Sequence, residues 1–191
     1  MPLHREDLVA ATLELASIAG LVANVCDHAE HNEVADPADV RDAGQRLRAV
    51  ALRLAGDKAV ALYRDRLSAI ELRNVVHHAD AFDGADLVPD AASWRQLQLI
   101  QIEHDRYYHL DVAGLTKAEQ LRHYALHLTK LAAAAADAAR GHLSVEDFTA
   151  RRVPDMLLFG LKLATVTGEK LRNDPVSAHL GAAGLNATPA V

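Results

Sequence analysis

Hydrophobic residues recur at intervals of three and four along most of the chain, which is the spacing of one face of an α-helix. The first stripe consists of Leu8, Leu15, Ile18, Val22 and Val25. It predicts a helix of about six turns. The same spacing returns in later segments, so the sequence predicts an all-α fold, a bundle of about six mostly antiparallel helices.

Polar residues at the predicted helix starts support this interpretation. Asp36 precedes Pro37, and an Asp cap followed by Pro is typical of a helix N-terminus. Thr116 with Glu119 forms a capping-box pattern, and Ser144 begins the last long pattern. Pro154 lies inside that pattern, so the sequence predicts that the helix either kinks or restarts there.

The clearest interruption lies at residues 80–90, which contain Asp83-Gly84 and Pro89. It divides the chain into N-terminal helical hairpins over residues 1–80 and a C-terminal helical part over residues 91–172. We expect the two parts to share one core. Residues 173–191 are rich in Ala, Gly and Pro and are expected to form a flexible tail.

Composition limits which core, partners and cellular location can be expected. Of 191 residues, 50% are hydrophobic and 4% are aromatic, which favours an aliphatic helix–helix core. The formal net charge is −6 without a basic run, so no nucleic-acid partner is expected. Cys26 is the only cysteine, and no signal-peptide pattern is present, which favours a cytoplasmic location. No run of 18 apolar residues occurs, so no membrane association is expected.

The segment 156–166 is apolar around most of its helical circumference. A helix of this kind is buried in a core or in a subunit interface. The sequence therefore predicts a homo-oligomer, most simply a homodimer.

The chain contains 11 histidines, and one group of them suggests chemistry. His123 and His127 lie four residues apart on one helical face, and a short loop joins their helix to the preceding one. If these two helices form an antiparallel hairpin, His104 reaches the same height, with Asp105 and Tyr108 beside it. His104, Asp105, His123 and His127 are then candidate ligands of a divalent transition metal. Alternatively, His104, His123, His127 and Tyr108 are catalytic acid–base groups, or the imidazoles have a purely structural role.

The segment between residues 121 and 173 contains a second informative pattern, an ordered series of short motifs. The segment His127-Leu-Thr-Lys-Leu-Ala-Ala-Ala134 is followed by Arg152-Val-Pro-Asp-Met156 within an apolar helix and then by Lys170-Leu-Arg-Asn173. This order resembles the MazG-like all-α NTP pyrophosphohydrolases, in which an EExxE helix precedes an ExxD helix.

The resemblance implies a changed site. Lys130, Leu131 and Ala134 occupy the positions of the three family glutamates, and Arg152 occupies that of the ExxD glutamate. Asp155 is the one acidic position retained. Because Mg²⁺ needs several oxygen ligands, the resemblance implies a relative without the usual pyrophosphohydrolase activity.

Three functions follow as expectations. The first is a degenerate MazG-like protein that binds a phosphorylated small molecule or acts as an oligomeric regulator, with ligand-binding residues Lys130, Arg151, Arg152 and Asp155. The second is an enzyme that uses the histidine pocket, with or without a metal. The third is a non-catalytic dimeric interaction module.

Overall fold

The computed structural model describes residues 3–31, 36–67 and 93–179, and within these ranges the fold is all-α, as predicted. The helices are α1 (Arg5–Glu30), α2 (Pro37–Ala55), α3 (Lys58–Arg66), α4 (Trp94–Tyr108), α5 (Leu110–Ala113), α6 (Lys117–Arg140) and α7 (Val145–Val166). A 3₁₀ helix follows at Val176–His179. The interruption that the sequence predicts at residues 80–90 lies outside the described residues.

Local side-chain chemistry starts these helices where the sequence predicts. The Asp36 carboxylate accepts a hydrogen bond from the Ala38 amide at 2.7 Å, and Ser144 Oγ accepts one from the Asp147 amide at 3.0 Å. Each bond satisfies an amide that the first helical turn leaves without a partner. At the C-terminal end of α6, Gly141 has φ +78°, a left-handed conformation that favours glycine and ends the helix.

Helix α7 is the central helix of the described structure, and it packs against α2, α3, α4 and α6. Pro154 lies inside it without ending it, so the helix does not restart there. Met156, Leu157, Leu161 and Leu163 are fully buried by this packing. The apolar surface that led to the prediction of a homodimer is therefore covered within one chain, and a homodimer stays a prediction.

The expected hairpin of α4 and α6 is wrong, because α4 packs mainly on α7 while α6 packs along α1 and α7. The connection between α4 and α6 contains the extra helix α5. The apolar stripe of α6, which includes Tyr124, Leu128, Leu131 and Ala135, is buried in the common core. Burial of that stripe, rather than the length of the connection, determines the neighbours of α6.

Helix α1 is long and apolar enough to cross a membrane by length and composition alone. In this structure, Leu8, Leu15, Ile18 and Val22 of α1 are buried in one hydrophobic cluster with residues of every long helix. Amphipathic core helices of folded domains share this composition. The cluster combines residues from both sides of the predicted interruption at residues 80–90.

The start of the expected tail, residues 173–179, packs against α4. The Trp94 amide donates to the Asp174 carbonyl at 3.2 Å, and Ser93 pairs with Pro175 in an isolated bridge. Val176 is buried. Residues 180–191 lie outside the described residues.

Candidate functional site

A cavity of about 430 Å³ opens between α6 and α7 and is completed by α3 and the α4–α6 connection. On α6, His123, His127 and Lys130 are spaced by four and three residues, so they share one face. On α7, Arg152, Asp155, Phe159 and Lys162 are spaced by three, four and three residues. We call this space the cationic cavity. Its lining residues are Arg66, His109, Asp111, Val112, His123, His127, Lys130, Leu131, Arg152, Asp155, Leu158, Phe159 and Lys162.

Basic side chains outnumber acidic ones in the cationic cavity. Arg66, Lys130, Arg152 and Lys162 line it together with two carboxylates, Asp111 and Asp155. Asp155 is shared by two arginines, since its Oδ1 lies 3.5 Å from Arg66 Nε and its Oδ2 lies 3.4 Å from Arg152 Nη1. Lys130 has no acidic partner within the described part of the chain.

A buried polar network holds the inner end of the cavity. Lys162 Nζ donates to Asp105 Oδ1 at 2.9 Å, and Gln101 Nε2 donates to the same oxygen at 2.8 Å. Tyr63 Oη donates in turn to Gln101 Oε1 at 2.8 Å. Tyr63, Gln101 and Lys162 are buried. Because every member has a partner, the network fixes the Lys162 ammonium in position.

Burial and neighbouring charges shift the protonation of this region. Burial alone would raise the pKa of Asp105, but His104 and Lys162 more than offset that effect, so the pKa is lowered and the group is a carboxylate. Burial lowers the pKa of His127, and His123 and Lys130 lower it further. The pKa of His109 is also lowered, first by burial and then by Lys162. His109 and His127 are therefore neutral at pH 7.

Aromatic contacts order the histidines of the cavity wall. The His127 ring stacks on Phe159 with centroids 4.7 Å apart, and His123 lies 4.6 Å from His127. Lys162 Nζ lies 5.8 Å from the Tyr124 ring centroid and 6.0 Å from that of Phe159. One wall thus presents imidazole and aromatic surface next to the cations.

The structure divides the candidate catalytic residues between two places. His123 and His127 line the cationic cavity. His104 is buried and does not line the cavity, and its ring lies 5.1 Å from that of Tyr108. Tyr108 is 40% exposed and is not a lining residue.

The candidate metal ligands are divided in the same way. His104 and Asp105 group with His109, and the ligand atoms of these three residues lie within 4.8 Å of one another. His123 and His127 are not members of that group. The division follows from the packing of α4 on α7, because the expected α4–α6 hairpin would have been needed to unite the four residues.

The candidate ligand-binding residues fall largely in the cationic cavity. Lys130, Arg152 and Asp155 line it. Arg151 does not line it, and its guanidinium lies 3.7 Å from Asp147 with the side chain 75% exposed. Neighbouring residues of a helix point about 100° apart, which separates Arg151 from Arg152. Three lining residues with basic side chains were not predicted from the sequence, because their place in the cavity depends on tertiary packing: Arg66 of α3, His109 and Lys162.

A second cavity of about 520 Å³ lies between α2, α4 and residues 169–179. Its most buried cation, Arg48, already donates to the Gly160 carbonyl at 2.9 Å and lies over the Trp94 ring at 5.5 Å. Arg172 and Lys170 share this cavity with Glu169 and Asp174. Its charges are more evenly matched, so the cationic cavity is the stronger candidate site.

No protein-family model matches the sequence, and neither curated proteins nor solved structures give a match to it. The resemblance to MazG-like proteins therefore stays a prediction. The candidate site rests on the geometry described above.

Proposed function

We propose that the protein binds a phosphorylated small molecule in the cationic cavity. The observation that carries the proposal is the convergence of Arg66, Lys130, Arg152 and Lys162 on one space of about 430 Å³. This volume suits a small metabolite. Guanidinium and ammonium groups are the side chains that form charge-assisted hydrogen bonds to phosphate.

The pairing of these cations supports an anionic ligand. Two arginines share the single carboxylate of Asp155, and Lys130 has no acidic partner in the described structure. A phosphate between Lys130 and Arg152 would supply the negative charge that the cavity wall lacks. Because Lys130 is exposed, part of this attraction is screened by salt, so the affinity falls as ionic strength rises.

The resemblance noted in the sequence adds a second argument. The resemblance assigns five positions to the family's metal site, and four of them, Lys130, Leu131, Arg152 and Asp155, line the cationic cavity, whereas Ala134 does not. With Lys130 and Arg152 at two of these positions, phosphate would be held directly rather than through Mg²⁺. We therefore expect no Mg²⁺-dependent release of pyrophosphate from nucleoside triphosphates at about 1 s⁻¹ or faster, an ordinary enzymatic rate.

Pyrophosphate is a suitable first probe, because it presents two phosphates in a compact ion. Isothermal titration should be performed in low salt with EDTA, so that no metal bridges the ligand. The double variant Lys130→Gln/Arg152→Gln removes two charges and should weaken binding about tenfold or more, since a charged hydrogen bond contributes about 1.5–3 kcal/mol.

The matched control is Arg41→Gln/Arg140→Gln, which removes two exposed helical charges that do not line the cavity. It should change the affinity little. Absence of pyrophosphate binding at millimolar concentration, or equal losses in the two double variants, would refute the proposal.

A further inference from the structure

A second group of polar side chains lies at the C-terminal end of α4. His109 caps this helix, and its amide donates to the Asp105 carbonyl at 3.0 Å. Its backbone leaves the helical conformation, with φ −134° and ψ 45°. This turn brings the His109 ring to 5.3 Å from the His104 ring, with the Asp105 carboxylate adjacent.

His104 has an unsatisfied ring nitrogen in this group. The residue is 5% exposed, and its Nδ1 is buried with no hydrogen-bond partner in the described structure. The nearest carboxylate oxygen, Asp105 Oδ1, lies 3.7 Å away, which is too far for a hydrogen bond. Buried polar atoms are nearly always satisfied, so an orphaned imidazole nitrogen beside a carboxylate indicates a missing partner.

We propose that His104, Asp105 and His109 bind one divalent transition-metal ion of the zinc class. Their ligand atoms lie within 4.8 Å of one another. With metal–ligand bonds of about 2.0–2.2 Å, ligand atoms in a tetrahedral site are about 3.4 Å apart. His104 Nδ1 and Asp105 Oδ1 are already 3.7 Å apart. Rotation of the exposed His109 side chain would bring its ring nitrogen to a similar distance from them.

The donor set selects the type of metal. Two imidazoles and one carboxylate suit Zn²⁺, Co²⁺ or Fe²⁺, whereas Mg²⁺ and Ca²⁺ prefer an all-oxygen shell. Three protein ligands leave one coordination position for water or a ligand. Since His109 also lines the cationic cavity, the proposed metal site borders the proposed phosphate site.

Lys162 opposes the metal electrostatically. Its ammonium lies 2.9 Å from Asp105 Oδ1, which also accepts from Gln101. Lys162→Gln keeps a donor for Asp105 while removing the charge, and should tighten metal binding. The same change should weaken pyrophosphate binding, because Lys162 lines the cationic cavity.

The metal proposal is independent of the phosphate proposal, and its test uses the full chain without a polyhistidine tag. After dialysis against EDTA and its removal, Zn²⁺ is titrated by calorimetry and Co²⁺ by visible absorption. We expect one ion per chain and Co²⁺ d–d bands of a nitrogen–oxygen site. His104→Ala and His109→Ala should each weaken Zn²⁺ binding at least about tenfold, because even the loss of a residue that only supports a metal ligand costs about tenfold or more in metal affinity.

His123→Ala and His142→Ala are the controls, since neither residue belongs to the group. Both should retain the wild-type affinity. His109 is exposed, so His109→Ala should fold even if the buried His104→Ala does not. Absence of stoichiometric Zn²⁺ binding, an unchanged affinity in His109→Ala, or an equal loss in His123→Ala would overturn the proposal.

Discussion

Substitution of Gly160 by Ala tests the close crossing of α2 and α7, which sets the position of the cavity-lining helix. A Cβ at residue 160 would lie 2.6 Å from Arg48 Cγ and 3.2 Å from the Gly44 carbonyl oxygen. Real Cβ contacts are not this short, so either the helices separate or Arg48 moves. Arg48 is 7% exposed, and its Nη1 donates to the Gly160 carbonyl at 2.9 Å.

The cost of Gly160→Ala can be worked from these contacts. Overpacking of a close-packed interior costs about 1–3 kcal/mol. Loss of the guanidinium hydrogen bond would add about 1.5–3 kcal/mol if Arg48 has to move away. Alanine gains about 1 kcal/mol over glycine inside a helix. The free energy of unfolding should therefore fall by about 0–2 kcal/mol if Arg48 keeps its hydrogen bond, and by about 1.5–5 kcal/mol if it loses it.

Gly20→Ala in α1 is the matched control, because a Cβ at residue 20 meets no atom within 4 Å. This variant should be more stable than wild type by about 0.5–1 kcal/mol. Thermal and urea unfolding followed by circular dichroism compare the two, and 1 kcal/mol corresponds to about 2–4 °C in Tm at this size. If Gly160→Ala is as stable as Gly20→Ala, the close crossing of α2 and α7 is wrong.

Three further predictions test the network, a helix cap and the cavity. Tyr63→Phe leaves the buried Gln101 oxygen without its 2.8 Å donor and should lower the unfolding free energy by about 1–2 kcal/mol in urea, so unchanged stability would contradict the network. Ser144→Ala removes the N-cap of α7 and should lower the free energy of unfolding by about 1 kcal/mol in the same assay. Unchanged stability would contradict a stabilising role of this cap. Sulfate, whose charge does not change near neutrality, should bind more tightly as the pH falls below the ordinary histidine pKa of 6.5, because the anion binds better when His109 and His127 are protonated. A sulfate affinity that does not change between about pH 7.5 and pH 5 would contradict this prediction.

The helix starts could be predicted because their determinants are local. Asp36, Thr116 and Ser144 each bond to amides within three residues, and such patterns are visible in sequence without any tertiary contact. The buried faces of α1 and α6 also follow the hydrophobic spacing. The all-α class and the positions of these elements were therefore accessible from sequence.

The neighbours of each helix were not accessible in the same way. A short connection predicted that α4 pairs with α6, but α5 intervenes and α4 packs on α7. That single difference in packing places His104 with His109 instead of with His123. Arg66 reaches the cavity from α3, far away in sequence, so its membership depends wholly on tertiary structure.

The measurement that most directly tests the proposed function is a pyrophosphate titration followed through the histidine ring resonances by NMR at constant pH. The chain has 11 histidines, and three of them, His109, His123 and His127, line the cationic cavity. We predict saturable shifts of these three resonances, whereas those of the exposed His4 and His142 stay in place. Shifts spread evenly over all histidines, shifts confined to residues outside the cavity, or no saturable shift would contradict phosphate binding at this site.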